Sequence, residues 1–251
     1  MSDAPEQELR GSTAPIDLTV GCARIRFTDR RGGVSSAPYA SRNLATHVGD
    51  AAAAVAENRR RLAAELAVDD ASPVVWLDQV HGDTVVRVDG AVTAPPRADA
   101  AVTDRVLVPL AVLVADCAPI ALVADHAVGV VHAGWAGLEA GVIERAVDAL
   151  RATSDGPVQA VVGPCIHPAR YEFGASDLER LVGRFGRHVA GVTEWDTPAF
   201  DLPAAVKHEL TRVGVATVVD VDVCTSASEH HFSHRRDGTT GRQAVVVMRT
   251  R

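Results

Sequence analysis

The 251-residue chain is 47% hydrophobic but only 4% aromatic and carries a net charge of −7, which fits one large domain with an Ala-, Val- and Leu-packed core and excludes a broad basic face for nucleic acid. Arginine clusters at 30–31, 59–61 and 235–236 are local and suit a small anion better. Four cysteines, at 22, 117, 165 and 224, form no C-x-x-C pair, which excludes a small disulfide scaffold and points to a reduced, cytoplasmic compartment.

In chain order, residues 1–15 read as a frayed polar tail, without the apolar core of a signal peptide, and 16–251 as a single domain. Ala51 to Leu66 predicts a helix, with Asp50 as its N-cap and Leu62 and Leu66 four apart. The alternation over 83–89 and the apolar runs 107–115, 120–124 and 127–131 predict central strands, the longest too short to span a bilayer. Gly134 to Arg151 predicts one amphipathic helix, whose start beside His132 would offer free N–H groups to an anion. A strand at 158–162, helices at 176–189 and 202–213, and strands at 215–223 and 243–248 complete the pattern, with no internal repeat. Central strands with flanking helices fit α+β, and periodicity alone does not separate this from a doubly wound sheet.

Gln79-Val80-His81-Gly82-Asp83, Ala115-Asp116-Cys117-Ala118-Pro119 and Val131-His132-Ala133-Gly134-Trp135 set one Cys and two His in turns beside apolar runs. A thiolate and two imidazoles fill three corners of a zinc tetrahedron and leave the fourth open, the arrangement of a catalytic site. Separations of 36 and 15 residues match no compact finger, so the fold must bring His81, Cys117 and His132 together.

Q-V-H-G, A-D-C-x-P and H-A-G-W, in this order, resemble the motifs of the multicopper-polyphenol-oxidase-like, or laccase-domain, family. The resemblance continues through Phe27 to Val34, Asn43-Leu44, His47 to Asp50, Glu57-Asn58-Arg59, Gly163 to Ile166, Tyr171-Glu172 and Phe232 to Gly238. It implies a layered α/β/β/α sandwich with mixed central sheets and a zinc-dependent purine nucleoside phosphorylase. The implied substrates are adenosine, inosine, guanosine and S-methyl-5'-thioadenosine with phosphate, alongside adenosine deamination. It also implies His81, Cys117 and His132 as metal ligands; Cys117, His132 and Asp116 are the candidate catalytic groups, with Asp116 as the candidate proton carrier. Gln79, Asp83 and Asp116 are candidates to orient a ligating histidine. Arg30, Asn43, Asn58, Arg59 and Gln79 are candidate substrate contacts, with Arg235 and Arg236 divided between pocket and surface. His230, His231 and His234 do not read as a second metal site, and Cys165 and Cys224 read as core packing.

The motif H-A-G-W-R-G of the family becomes His132-Ala-Gly-Trp-Ala136-Gly137, so one motif arginine is absent, which bears on phosphate affinity. Three other readings stay open. One is a copper-dependent phenol oxidase, copper being the alternative ion, although ten histidines contain no H-x-H pair. Another is a peptidoglycan-precursor editing hydrolase with Cys117 as nucleophile and His132 as base. The last is a non-catalytic binding protein. Oligomeric state is not legible, and no membrane or nucleic-acid partner is indicated.

Overall fold

A computed structural model describes residues 15–68, 73–90 and 92–250; apart from Pro15, the tail expected at 1–15 lies outside them. The strands are β1 (Ile16–Val20), β2 (Ala23–Phe27), β3 (Val75–Trp76), β4 (Val85–Arg87), β5 (Ala100–Thr103), β6 (Pro109–Val114), β7 (Ala118–Val123), β8 (Val128–Ala133), β9 (Gln159–Val162), β10 (Ala190–Val192), β11 (Pro198–Phe200), β12 (Thr217–Asp220) and β13 (Gln243–Arg249). The helices are α1 (Ala52–Leu66), α2 (Trp135–Ala140), α3 (Val142–Arg151), α4 (Ala175–Phe185), α5 (Leu202–Arg212) and α6 (His234–Asp237).

Two mixed sheets form the centre, one ordered β1-β2-β13-β6-β3 and the other β12-β9-β7-β8-β5-β4. Strands β6, β7 and β8 are buried at every residue because each has a packed layer on both faces. The two-residue period then sorts their side chains. On β6, Leu110 and Val112 enter the core between the sheets, while Ala111 and Leu113 face the layer of Leu62 and Leu66 on α1. On β7, Ala121 and Val123 join the inter-sheet core, whereas Ile120 and Leu122 pack with Val142, Ile143, Leu181 and Leu210 from the other helical layer. The expected α/β/β/α sandwich is therefore present. Each fully buried Leu or Ile contributes about 1.5–3 kcal/mol through removal from water.

Three expected boundaries change, one of them the helix over 176–189, which stops at Phe185 before Gly186 at φ +99°. The helix over 134–151 is split at Gly141, whose φ of +96° ends α2 and lets α3 start on a new axis; glycine reaches that region without a Cβ penalty. The helix beside His132 is therefore only six residues long. Ala51, not Asp50, is the N-cap of α1, without a side-chain bond. The Asp50 carboxylate is occupied by Ala51 N–H, the Ser35 hydroxyl and the Asn43 amide.

His231 adds a pH-sensitive element to this core. It is 2% exposed, and its Nδ1 bonds the Ser228 hydroxyl at 2.9 Å. Burial pushes its pKa down to about 4, Asp29 opposing and His230, Arg31 and Arg236 assisting. Between pH 6.5 and 4 the unfolded chain binds more protons at this site than the native one, so stability is lost as pH falls through that window. The loss is on the order of 3 kcal/mol. Thermal melts across pH 4–7 should show it, with a flatter profile for His231→Gln; parallel profiles would discount His231 as the cause.

Candidate functional site

The fold closes the 36- and 15-residue gaps by strand pairing. Antiparallel β7 and β8 set Ala118 opposite Ala133 and Pro119 opposite His132, so Cys117, one residue before β7, lies at the Gly134 end of β8. His81 arrives from the turn after β3. Its Nε2 is 3.9 Å from Cys117 Sγ, and its ring centroid is 4.7 Å from that of His132. The three donor atoms all lie within 4.8 Å of one another, the sole group of this kind among the described residues. Zinc bond lengths of 2.0–2.3 Å in a tetrahedron require donors roughly 3.5 Å apart, so the residues fit such an ion with small side-chain rotations.

Gly134 explains why the H-A-G-W motif needs its glycine. A Cβ there would sit 3.0 Å from Cys117 Sγ and 3.1 Å from His81 Cδ2, against the donors themselves. The requirement is close approach, because its φ of −82° is ordinary. By contrast, His81 at φ +59° and Asp116 at φ +95° hold left-handed backbone without being glycine, a strain that the surrounding bonds must maintain.

For His81 those bonds come from Asp99, a residue that the motifs did not identify. Asp99 is fully buried just before β5. Its carboxylate accepts the peptide N–H groups of Val80, His81 and Gly82 at 3.2, 2.9 and 2.8 Å, and meets His132 Nδ1 at 2.8 Å. One side chain thus fixes the His81 turn and turns His132 Nε2 toward Cys117, the orienting role anticipated for Gln79, Asp83 or Asp116. Burial works to raise the Asp99 pKa, but the His132 bond and the Gly82 N–H outweigh it and hold the group below the usual carboxylate range. The legible signal was a lone carboxylate inside the apolar run Ala98–Val102, where an unpartnered charge is prohibitively costly.

Cys117 and His132 are strongly coupled. Burial disfavours both charges, yet the His132 imidazolium and the His81 bond bring the Cys117 thiol down to about 6. The Cys117 thiolate and Asp99 raise His132 to about 9, against burial. Each group thus favours the charged form of the other, thiolate beside imidazolium, and a bound metal would displace the imidazolium proton.

The triad opens into a cavity of about 370 Å³, within the range of small-molecule sites. Gln79, Asp116 and Arg235 line it, as do four residues not singled out for it from the sequence: His47, Trp135, Tyr171 and Arg242. Gln79 is held by paired bonds to the Leu113 peptide, both 2.8 Å. Asp116 accepts from Thr225 Oγ1 and the Arg235 peptide N–H, both at 2.6 Å, so each of its oxygens carries one bond that fixes the carboxylate on the cavity. Asp83 is drawn away into an ion pair with Arg145.

Four expected substrate contacts do not line this cavity. Arg30 donates to Ala40 O and covers the Phe232 ring, lining a separate hollow of 320 Å³. Asn43 is buried and bonds Ala45, Asp50 and the Arg242 N–H. Asn58, on the apolar stripe of α1, accepts from Val34 N–H and donates to Ser35, Ser41 and Asn43. Arg59 donates to Leu44 O and stacks on Trp76. All four organise the 30–45 loop, because polar groups buried beside a loop must satisfy its peptide groups. His231 and His234 separate as expected, into the core and the cavity rim respectively.

The family described as multi-copper polyphenol oxidoreductase laccase matches residues 24–250. A Streptomyces griseus protein named purine nucleoside phosphorylase ORF3 is 44% identical over 246 residues, covering 94% of this chain and 96% of that protein. The crystal structure of the Neisseria meningitidis protein NMB0706 superposes with a TM-score of 0.84 at 31% identity, covering 93% and 98% of the two chains. That of YlmD from Geobacillus stearothermophilus gives 0.83 at 33% identity, covering 92% and 93%. With its fold and nearly its whole length matched, the chain belongs to the multi-copper polyphenol oxidoreductase laccase family.

Proposed function

We propose that the protein is a cytoplasmic, zinc-dependent purine nucleoside phosphorylase that converts adenosine, inosine, guanosine and S-methyl-5'-thioadenosine with phosphate to free base and (deoxy)ribose-1-phosphate, with adenosine deaminase activity. The observation that carries this reading is the His81/Cys117/His132 donor group at a 370 Å³ cavity. The names of relatives such as that from Streptomyces griseus support the nucleoside chemistry. His81, Cys117 and His132 would hold the ion, which supplies Lewis-acid polarisation and lowers the pKa of bound water.

The remaining work falls to the chain's own residues. Asp99 occupies His132 Nδ1, which leaves Nε2 as the nitrogen turned toward Cys117 and makes it a more basic ligand. Trp135 and Tyr171 give the cavity flat apolar surface against which a purine can stack. Tyr171 stays protonated, its pKa raised by burial and by the Cys117 charge, so its hydroxyl is available as a donor. Among the described residues a single three-donor group serves one ion, which disfavours multi-copper phenol oxidation.

One observation favours a second reading. Asp99–His132–Cys117 also has the order of a thiol-hydrolase triad, with a thiol already lowered to about 6. In that role the protein would hydrolyse amino acids from peptidoglycan precursors. Chelation separates the two. Phosphate-dependent release of hypoxanthine from inosine should disappear after metal removal and return with zinc, read by chromatography. Hydrolysis of a nucleotide-linked peptide that persists in chelator would transfer the function to the thiol.

A further inference from the structure

The cavity has a cationic wall made by Arg235, from the Phe232 to Gly238 motif, and Arg242, which lies outside the motifs. Arg242 is half-buried on the cavity and donates only to carbonyl oxygens, those of Thr240 and Gly241 at 2.9 Å each. Arg235 donates to Glu172 O at 2.6 Å and lies 4.7 Å over the Tyr171 ring. Neither guanidinium has a carboxylate within ion-pairing distance among the described residues. The carboxylate that lines the same cavity, Asp116, bonds the Thr225 hydroxyl and the Arg235 peptide N–H rather than either guanidinium. Burial lowers the Arg242 pKa, the mark of a cation held without a full counter-charge.

Both arginines are positioned by backbone. The Arg242 N–H is bonded to Asn43 and its carbonyl accepts from Leu44 N–H, so the buried Asn43 acts on the cavity through Arg242. Arg235 is the second residue of α6, its peptide N–H anchored on Asp116. Two fixed planar donors with unused N–H groups match the oxygens of a tetrahedral anion.

Resting on the phosphorylase reading, we propose that Arg242 and Arg235 form the phosphate subsite, supplying the cationic contact that Ala136 lacks. Hydrogen phosphate held there bonds through one oxygen to the anomeric carbon as the bond from that carbon to the base nitrogen breaks. The electron pair leaves with the base, and the proton of the hydrogen phosphate ends on it, so atoms and charge balance.

Initial-rate kinetics with zinc-loaded protein, inosine and varied phosphate test this. Arg242→Gln and Arg235→Gln should each raise the KM for phosphate on the order of 10- to 100-fold, the loss of a charge-assisted contact, with bound zinc and the KM for inosine unchanged. Arg242→Lys should recover part of the loss, which a purely structural role would not. An unchanged phosphate KM in both Gln variants overturns the subsite. Phosphorus NMR of inorganic phosphate with wild type and Arg242→Gln gives a reading independent of turnover. If wild type releases no base, the phosphorylase reading fails; phosphate binding lost in Arg242→Gln then still supports the subsite, and its absence in wild type refutes it.

Discussion

His81→Ala is expected to lower zinc-dependent release of base from inosine by more than about 100-fold, exceeding the 10–100-fold cost typical of removing an orienting partner of a ligand. The reason is geometric. His81 is an exposed donor at the cavity, 3.9 Å from Cys117 Sγ, and its loss leaves two donors for an ion that needs at least three. Folding should survive, because the turn is held by Asp99 through peptide N–H groups rather than through the imidazole. Zinc content by mass spectrometry of the native protein, beside product chromatography, checks both halves. A variant that keeps full activity after losing its zinc would remove the metal from the reaction and favour the Cys117–His132 thiol reading.

Asp99 should produce the largest combined effect on stability and ligation. Asp99→Ala strands three peptide N–H groups and leaves the charged His132 in a fully buried position, a loss of about 3–5 kcal/mol for breaking a buried pair. Asp99→Asn is the more informative change. It retains one acceptor oxygen for the 80–82 turn, but its amide nitrogen cannot accept, so either a turn N–H or His132 Nδ1 loses its partner. Zinc affinity should drop about 10–100-fold in competition with a chelator dye. The Cys117 thiol pKa, followed by thiolate absorbance in metal-free protein, should rise because Asp99 no longer supports the His132 charge. Native zinc affinity together with a native thiol pKa in Asp99→Asn would show that Asp99 serves the turn alone.

The sequence by itself determined the elements whose signals are local. Periodicity placed the apolar strands and the amphipathic helices, since side chains alternate on a strand and recur every 3.6 residues on a helix. Motif resemblance marked His81, Cys117 and His132, which the fold gathers to within 4.8 Å. The break at Gly141 escaped because the apolar spacing from Leu138 to Val142 and Ile143 continues across it, and only the backbone angle ends the helix.

Roles that depend on what a side chain meets far along the chain were left to the tertiary structure. Asn43, Asn58 and Arg59 are polar motif residues like any substrate contact, yet their partners are carbonyls and amides of the 30–45 loop. Asp99 lies 33 residues from His132 and 18 from His81, and Arg242 stands 125 residues from Cys117 in the chain while lining the same cavity. Residue type states what bonds a side chain can make; only the packing of β5, β7, β8 and α6 around one cavity decides which bonds remain for a ligand.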